Sequence, residues 1–240
     1  MISRLLGAIQ FLTIVPIPGK TATPGQSAPF FPLVGALLGA LCGGILELCR
    51  TPLGTPLAAL LALSTLIALS GGLHEDGLAD CADALRAGRT REKMLAILKD
   101  SRIGVYGALA LILCIAIRWQ ALTRIGVDVI VGFASSLALS RSSLAILAAI
   151  TQPVGAGLGA AFSRGLTPAT SVLVAVQVVI AASICGWVGV PMLFTSAAIL
   201  MMARAYFLRH LGGVNGDCLG ATCLAVESVN LLVLAWHSST

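Results

Sequence analysis

Long, uninterrupted apolar runs are the feature that most constrains how this chain of 240 residues can fold. A helix that spans a bilayer needs about 20 mostly apolar residues, whereas the strands of an outer-membrane barrel show alternating segments of about ten residues. The runs here are continuous, so we predict an all-α, polytopic membrane helix bundle in a single integral-membrane domain, residues 1–240. We expect six or seven transmembrane helices, at about residues 33–49, 57–72, 104–123, 127–150, 171–188, 190–208 and 219–236.

The scarcity and the placement of charge support this interpretation. Charged residues make up 10% of the chain, against about 25% in soluble domains, which excludes a soluble globular protein, a disordered chain and a nucleic-acid binder of the usual kind. If the N-terminus is cytoplasmic and there are seven spans, the outer segments contain only two basic residues, Arg50 and Arg124. This distribution fits the positive-inside rule. The cytoplasmic basic residues are Arg4, Lys20, Arg86, Arg89, Arg91, Lys93, Lys99, Arg102, Arg164 and Arg209. Residues 1–18 lack a cleavage site and contain prolines, so we expect an interfacial or re-entrant helix.

Acidic residues concentrate just after the second apolar run. Asp76, Asp80 and Asp83 are spaced i, i+4 and i+7, which places them within about 60° of one another on an amphipathic helix at the cytoplasmic surface. Like charges at this spacing repel, and a divalent cation would relieve the repulsion. Mg²⁺ prefers one or two carboxylates with water and substrate phosphates, so the stripe indicates Mg²⁺ on a phosphorylated substrate. A solvated acidic face is the alternative.

Two further polar segments flank apolar runs on the same side. The segment from Lys99 to Gly104 lies at the start of the third run, and its Ser, Arg and Gly can meet a phosphate at a helix N-terminus. The alternative is that these basic residues serve topology and contacts with anionic membrane lipid. A glycine-rich turn at 212–220 precedes the last run, where Asn215 or Asp217 can cap a helix and free N–H groups can face an anion.

Charged residues inside apolar runs are candidates for function because burying them in lipid is costly. Arg141 lies deep in the fourth run, and we expect it to pair with Glu227 or with a substrate phosphate. A purely structural Arg–Glu pair is the alternative. Arg118 lies nearer the end of a run, and a side chain that snorkels to the membrane interface would explain a charged residue there. His74 begins the acidic helix and is a candidate acid, base or substrate contact, although a loop histidine often has no such role.

These segments carry a resemblance to the cobalamin synthase family, adenosylcobinamide-GDP ribazoletransferase. Residues 71–83, GGLHEDGLADCAD, resemble the family's G-G-L-H-x-D-G-L-A-D-x-x-D motif. Residues 99–104 are similar to its K-D-S-R-I-G segment, and Arg141 to its intramembrane arginine. Residues 212–221 are similar to its G-G-x-x-G-D-x-L-G-A, and residues 11–18 to its N-terminus. The chain departs from the family at Glu75, where a hydrophobic residue is usual, and at Asn215, where threonine is usual.

The resemblance implies a transferase that joins a GDP-activated corrinoid to α-ribazole or its 5′-phosphate and releases GMP, at the cytoplasmic face of the bacterial inner membrane. On this hypothesis Mg²⁺ on the diphosphate is held by Asp76, Asp80, Asp83 and Asp217. Asp217 is alternatively the base on the attacking hydroxyl, and Asp80, Asp217 and Arg141 are the catalytic candidates. Substrate and phosphate contacts are expected from His74, Lys99, Ser101, Arg102, Asn215 and Glu227. A homo-oligomer stays an open alternative.

Two rival functions remain open from the sequence. The acidic stripe is similar to that of CDP-alcohol phosphotransferases, but the chain lacks their A-R signature after the second acidic position. A secondary transporter would use Arg141 and Glu227 as a coupling pair. Such a protein is expected to show interrupted helices at corresponding positions in two halves, and the sequence has no such symmetry.

Overall fold

The computed structural model describes residues 1–100, 102–126, 128–155 and 157–238, and the secondary-structure elements of the described part are all helices. Ser101, a predicted phosphate contact, lies outside the described residues. Short 3₁₀ turns at Ala28–Phe30 and Gly186–Val188 accompany the α-helices. The α-helices described are α1 Ile2–Leu12, α2 Pro24–Ser27, α3 Phe31–Leu53, α4 Thr55–Ser70, α5 Leu73–Ala87, α6 Arg91–Ile97, α7 Val105–Leu122, α8 Val129–Ile150, α9 Leu158–Arg164, α10 Pro168–Ile184, α11 Gly189–Leu211 and α12 Gly216–His237.

The expected polytopic helix bundle is confirmed, and each predicted apolar run coincides with a helix. Among the described residues, five helical stretches are long and apolar enough to cross a membrane, and a sixth results if α4 and α5 count as one bent span. Those five contain α3, α7, α8, α11 and α12. α10 is apolar but has 17 residues. α1 has 11 residues and is about 16 Å long, which is too short to span a membrane; that it is an interfacial or re-entrant helix stays a prediction.

α8 forms the centre of the bundle, because 78% of the residues in its most apolar 18-residue stretch are buried. It packs against α3, α10 and α12. Glycines repeat every four residues on α3 and allow the two backbones to approach closely, as small residues do in membrane helix pairs. A β-carbon at Gly35 would lie 2.5 Å from the backbone oxygen of Leu137, and one at Gly39 would lie 2.5 Å from that of Phe133. This close packing fixes the helix that carries Arg141.

The turn between α4 and α5 directs the acidic helix across the bundle. Gly71 and Gly72 both adopt left-handed φ angles, 64° and 68°, which glycine reaches without strain. The two helix axes consequently meet at 87°. α4 is the apolar part of this pair, and α5, with its acidic residues, is the polar part, which packs on α7 and α12.

Candidate active site at the crossing of α5 and α12

α5 crosses α12 at Gly77, one residue after Asp76. A β-carbon at Gly77 would lie 2.9 Å from the backbone oxygen of Asp217 and 3.0 Å from its Cα atom, so glycine alone permits this approach. The crossing brings Asp76 and Asp80 to the first turn of α12, where Asp217 lies. Asp76 and Asp217 line one cavity together. Three of the four carboxylates predicted as metal ligands therefore lie near one another, from segments about 140 residues apart in sequence.

The electrostatics of Asp80 reflect this crowding. Partial burial, together with repulsion from Asp76 and Asp217, raises the pKa of Asp80 to about 6. Within the described residues, however, no three or more His, Cys, Asp or Glu side chains are grouped so that they could hold a metal ion by themselves. The predicted cage of four aspartates is not formed. One or two of these carboxylates, completed by water and substrate phosphates, still fit Mg²⁺.

Asp83 has other partners, although it belongs to the predicted stripe. Its Oδ2 atom accepts a hydrogen bond of 2.7 Å from the backbone N–H of Gly104, and its Oδ1 atom accepts one of 3.0 Å from that of Gly107. A buried carboxylate at this position satisfies amide groups at the start of α7, which have no partner within the helix. Because both oxygens are occupied, we omit Asp83 from the metal ligands. Its role in the structure is to fix α7 against α5.

The glycine-rich turn before α12 is held by two sets of contacts. Asn215 caps the helix, as the sequence indicated, because its Oδ1 atom accepts the N–H of Cys218 at 3.0 Å. Its Nδ2 atom donates to Oδ2 of Asp217 at 2.7 Å, which orients that carboxylate. On the other side of the turn, Gln152 donates through Nε2 to the backbone oxygen of Gly212 at 2.7 Å. Asn215 thus positions Asp217, and its predicted contact with substrate stays a prediction.

The basic residues before α7 are divided between a cavity and the surface. Lys99 lines a cavity with Asn215 and Asp217, so its predicted phosphate contact is well placed. Arg102 is 87% exposed and forms a 2.7 Å salt bridge with Asp100. The hydrogen bonds from Arg102 lower the pKa of Asp100 to about 2. A phosphate contact by Arg102 would replace this pairing, and it stays a prediction.

A buried ion network links α5, α7, α8 and α12. Glu227 contacts Arg141, as the sequence predicted, and also lies 2.5 Å from Arg118. Arg118 also donates to Glu75 at 2.8 Å. The snorkelling interpretation of Arg118 is wrong, because its side chain is fully buried. Two arginines and two glutamates balance in charge, as buried ions require. Arg141 and Glu227 have each other as partners, so their predicted contacts with substrate stay predictions.

Three cavities lined by described residues include one or two of these carboxylates each. One of about 170 Å³ is lined by His74, Asp76 and Asp217, together with apolar side chains. A second, of about 570 Å³, includes Asp76 and Asp80 and reaches the start of α7. A third, of about 330 Å³, includes Lys99 and Asp217 beside several glycines. The carboxylates therefore lie where several ligand groups can meet.

Comparison with known proteins identifies the family. The family described as Cobalamin-5-phosphate synthase matches residues 4–235. The chain belongs to this family. Relatives named adenosylcobinamide-GDP ribazoletransferase include that of Bradyrhizobium diazoefficiens, 40% identical over 98% of this chain and 94% of the relative. Those of Geotalea daltonii and Klebsiella pneumoniae are 36% and 32% identical, over 95% and 98% of this chain and 94% and 100% of the relatives. No solved structure gives a significant match.

Membership in the cobalamin-5-phosphate synthase family confirms the resemblance found in the motifs and leaves no specific observation in favour of the two rival functions. In this member, sequence reasoning missed the partnership of Arg118 with Glu75 and the capping role of Asp83. The signal for the first was Glu75, an acidic residue at a position where the sequence departs from the motif that it resembles. No local signal pointed to the second, because it depends on how α7 meets α5.

Proposed function

We propose that this protein transfers the phosphocobinamide group of adenosylcobinamide-GDP to a ribose hydroxyl of α-ribazole or its 5′-phosphate. In this reaction the hydroxyl oxygen attacks the phosphorus that carries cobinamide, the bond from that phosphorus to GMP breaks, and the hydroxyl proton is released. The names of the relatives support the substrates. The meeting of Asp76 and Asp80 with Asp217, where three cavities converge, is the observation that carries the proposal.

Mg²⁺ is the proposed cofactor, and residues from the set Asp76, Asp80 and Asp217 would hold it. Their crowding, which raises the pKa of Asp80, is the reason that a cation fits there. When bound, Mg²⁺ neutralises negative charge on the diphosphate. A single carboxylate pair suffices, since Mg²⁺ keeps several waters and binds substrate phosphates.

The protein's own groups supply positioning and charge. Lys99 faces the same cavity as Asp217 and is placed to bind a phosphate of the nucleotide. The first N–H groups of α12 carry the positive end of a 22-residue helix and favour an anion beside Gly216. Asp217, oriented by Asn215, is placed to accept the proton of the attacking hydroxyl. Phosphoryl transfer depends mainly on such positioning and charge stabilisation.

We further propose that the site faces the cytoplasm at the bacterial inner membrane. The end of α5 and the residues that follow it support this orientation, because Arg86, Arg89, Arg91 and Lys93 are all exposed there. A protease site inserted at residues 88–90 tests it. Cleavage is expected in inverted membrane vesicles and not in intact spheroplasts, and the reverse pattern would overturn the orientation.

An assay of the purified protein with GDP-cobinamide and α-ribazole, with Mg²⁺ or with EDTA, tests the reaction and the metal together. We expect a corrinoid product and GMP only with Mg²⁺. Asp80→Asn should lose at least about 10²-fold in kcat, because positioned charge at a transferring phosphate is typically worth that much. Asp128→Asn is the matched control, since Asp128 is an exposed aspartate just before α8 at the opposite end of the bundle, and it should keep full activity.

Each part of the proposal has its own contrary result. The absence of product from folded wild-type protein would refute the reaction. Equal activity in EDTA would refute the metal. Full activity in Asp80→Asn, with the reaction itself present, would refute the assignment of Asp80.

A further inference from the structure

The smallest of the three cavities differs from the others in chemistry. Its volume is about 170 Å³. One end is formed by Asp76 and Asp217, and the remaining wall is mostly apolar. The apolar wall is contributed by separate parts of the chain, namely Phe11, Leu73, Leu144, Phe162 and Leu219. The cavity is therefore a hydrophobic compartment that opens directly beside the proposed reacting groups.

Aromatic packing holds this wall in place. The ring of Phe11 on α1 stacks on Phe31 with centroids 5.3 Å apart, and Phe162 lies 6.0 Å from Phe11 and 5.6 Å from Phe31. This cluster joins the short N-terminal helix to α3 and α9. α1, too short to span the membrane, closes one side of the cavity.

His74 supplies a polar group within the same compartment. His74 lines the cavity and is 2% exposed as a residue, and its Nε2 atom has no hydrogen-bond partner among the described residues. Buried polar atoms are nearly always paired, so an unpartnered imidazole nitrogen beside a cavity indicates a ligand atom that completes it. The expected ligand is apolar over most of its surface and carries one hydrogen-bonding atom.

The size and the polarity of the cavity indicate which chemical group of the two proposed substrates it can hold. Filled at protein packing density, the cavity holds about 130 Å³ of van der Waals volume, the size of a substituted bicyclic aromatic ring. Apolar cavities of about 150 Å³ in proteins bind benzene. A corrin ring is far larger, and a guanine ring carries several donors and acceptors that an apolar wall would leave unpaired. A benzimidazole ring is apolar except for its ring nitrogens.

Resting on the proposed function, we infer that this cavity binds the benzimidazole ring of the ribazole acceptor, with the ribose directed toward Asp217. The apolar wall encloses the ring, and His74 Nε2 hydrogen-bonds to the ring nitrogen that is not attached to ribose. The other two cavities, which are larger and contain Lys99 and Asp80, remain for the corrinoid nucleotide.

An acceptor with a larger ring tests whether the apolar wall of the cavity encloses the ring of the acceptor. Leu144→Ala enlarges the cavity, and Leu147→Ala is the matched control, since Leu147 is equally buried on α8 but does not line it. The acceptors are α-ribazole and an analogue extended by one fused benzene ring. The preference is the ratio of kcat/KM for the extended analogue to kcat/KM for α-ribazole. Leu144→Ala should raise this ratio by about tenfold and leave the KM for GDP-cobinamide unchanged. An unchanged preference, or an equal change in Leu147→Ala, would overturn the inference.

A second variant tests the hydrogen bond and does not depend on Leu144→Ala folding. Wild-type protein should bind α-ribazole about tenfold more tightly than an indole riboside, which lacks the second ring nitrogen, when measured by titration calorimetry. His74→Ala should abolish that discrimination. Retained discrimination would overturn the assignment of His74. If wild-type protein binds α-ribazole with this selectivity but forms no product, the proposed reaction fails while the inferred cavity stands.

Discussion

Replacement of Gly77 by alanine tests whether the helix crossing creates the site. The added methyl carbon would lie 2.9 Å from the backbone oxygen of Asp217 and 3.0 Å from its Cα atom, whereas ordinary contacts are about 3.5–4.0 Å. Because both contacts are with backbone, no side chain can rotate away. α5 and α12 must separate by about 0.5–1 Å, which moves Asp76 and Asp80 away from Asp217.

A displacement of about 1 Å among reacting groups can reduce a rate by about 10²-fold, and we expect a loss of that order in kcat for Gly77→Ala. The helix itself should tolerate the change, since alanine has the higher helix propensity. The assay measures corrinoid product with both substrates saturating, alongside size-exclusion profile and thermal unfolding of the detergent-solubilised protein.

Gly44→Ala is the matched control for this prediction. Gly44 also lies within a helix, on α3, and apart from the backbone of that helix no described atom lies within 4 Å of a methyl group added there. This variant should keep wild-type activity and gain up to about 1 kcal/mol of stability. If Gly77→Ala also keeps wild-type kcat, the close crossing is not what assembles the site, and our geometric argument fails.

Two other variants test the buried charges. Glu227→Gln should destabilise the protein by about 3–5 kcal/mol because it leaves two buried arginines with a single carboxylate, whereas exposed Glu47→Gln, beside Arg50, should cost about 0–1 kcal/mol. Unfolding in mixed SDS micelles measures both, and equal effects would contradict the network. Asp83→Asn should cost about 1–3 kcal/mol and speed amide hydrogen exchange at Gly104, since an amide group cannot accept both N–H bonds. Unchanged exchange there would contradict the role of Asp83.

The sequence predicted the elements well because their signals are local. Apolar runs predicted the helices, and the pairing of Arg141 with Glu227 followed from the cost of an isolated charge in lipid. Capping by Asn215 followed from residue type and position alone. In each case the physical cause lies within one helix, or in a charge that has few available partners.

The sequence did not predict features that depend on how distant helices meet. The burial and pairing of Arg118 could not be predicted from its distance to the end of the apolar run. Its salt-bridge partners, Glu75 and Glu227, lie on two other helices, α5 and α12. Phe11 and Phe162 meet in the cavity wall although they are far apart in the sequence, and no hydrophobic periodicity in the sequence indicates that contact. Such contacts follow from the turn at Gly71–Gly72 and from helix packing, which a local pattern does not encode.

The carboxylates of α5 divide into two pairs with different tasks, and this division explains how an acidic helix is held against a membrane bundle. Glu75 and Asp83 are buried and compensated, one by the guanidinium of Arg118 and the other by amide groups at the start of α7. They anchor the helix at both ends. Asp76 and Asp80 lie between the anchors and are more exposed. Repulsion between these two charges is not relieved within the helix, so the anchored helix presents an uncompensated negative site to a cation and its phosphate ligand.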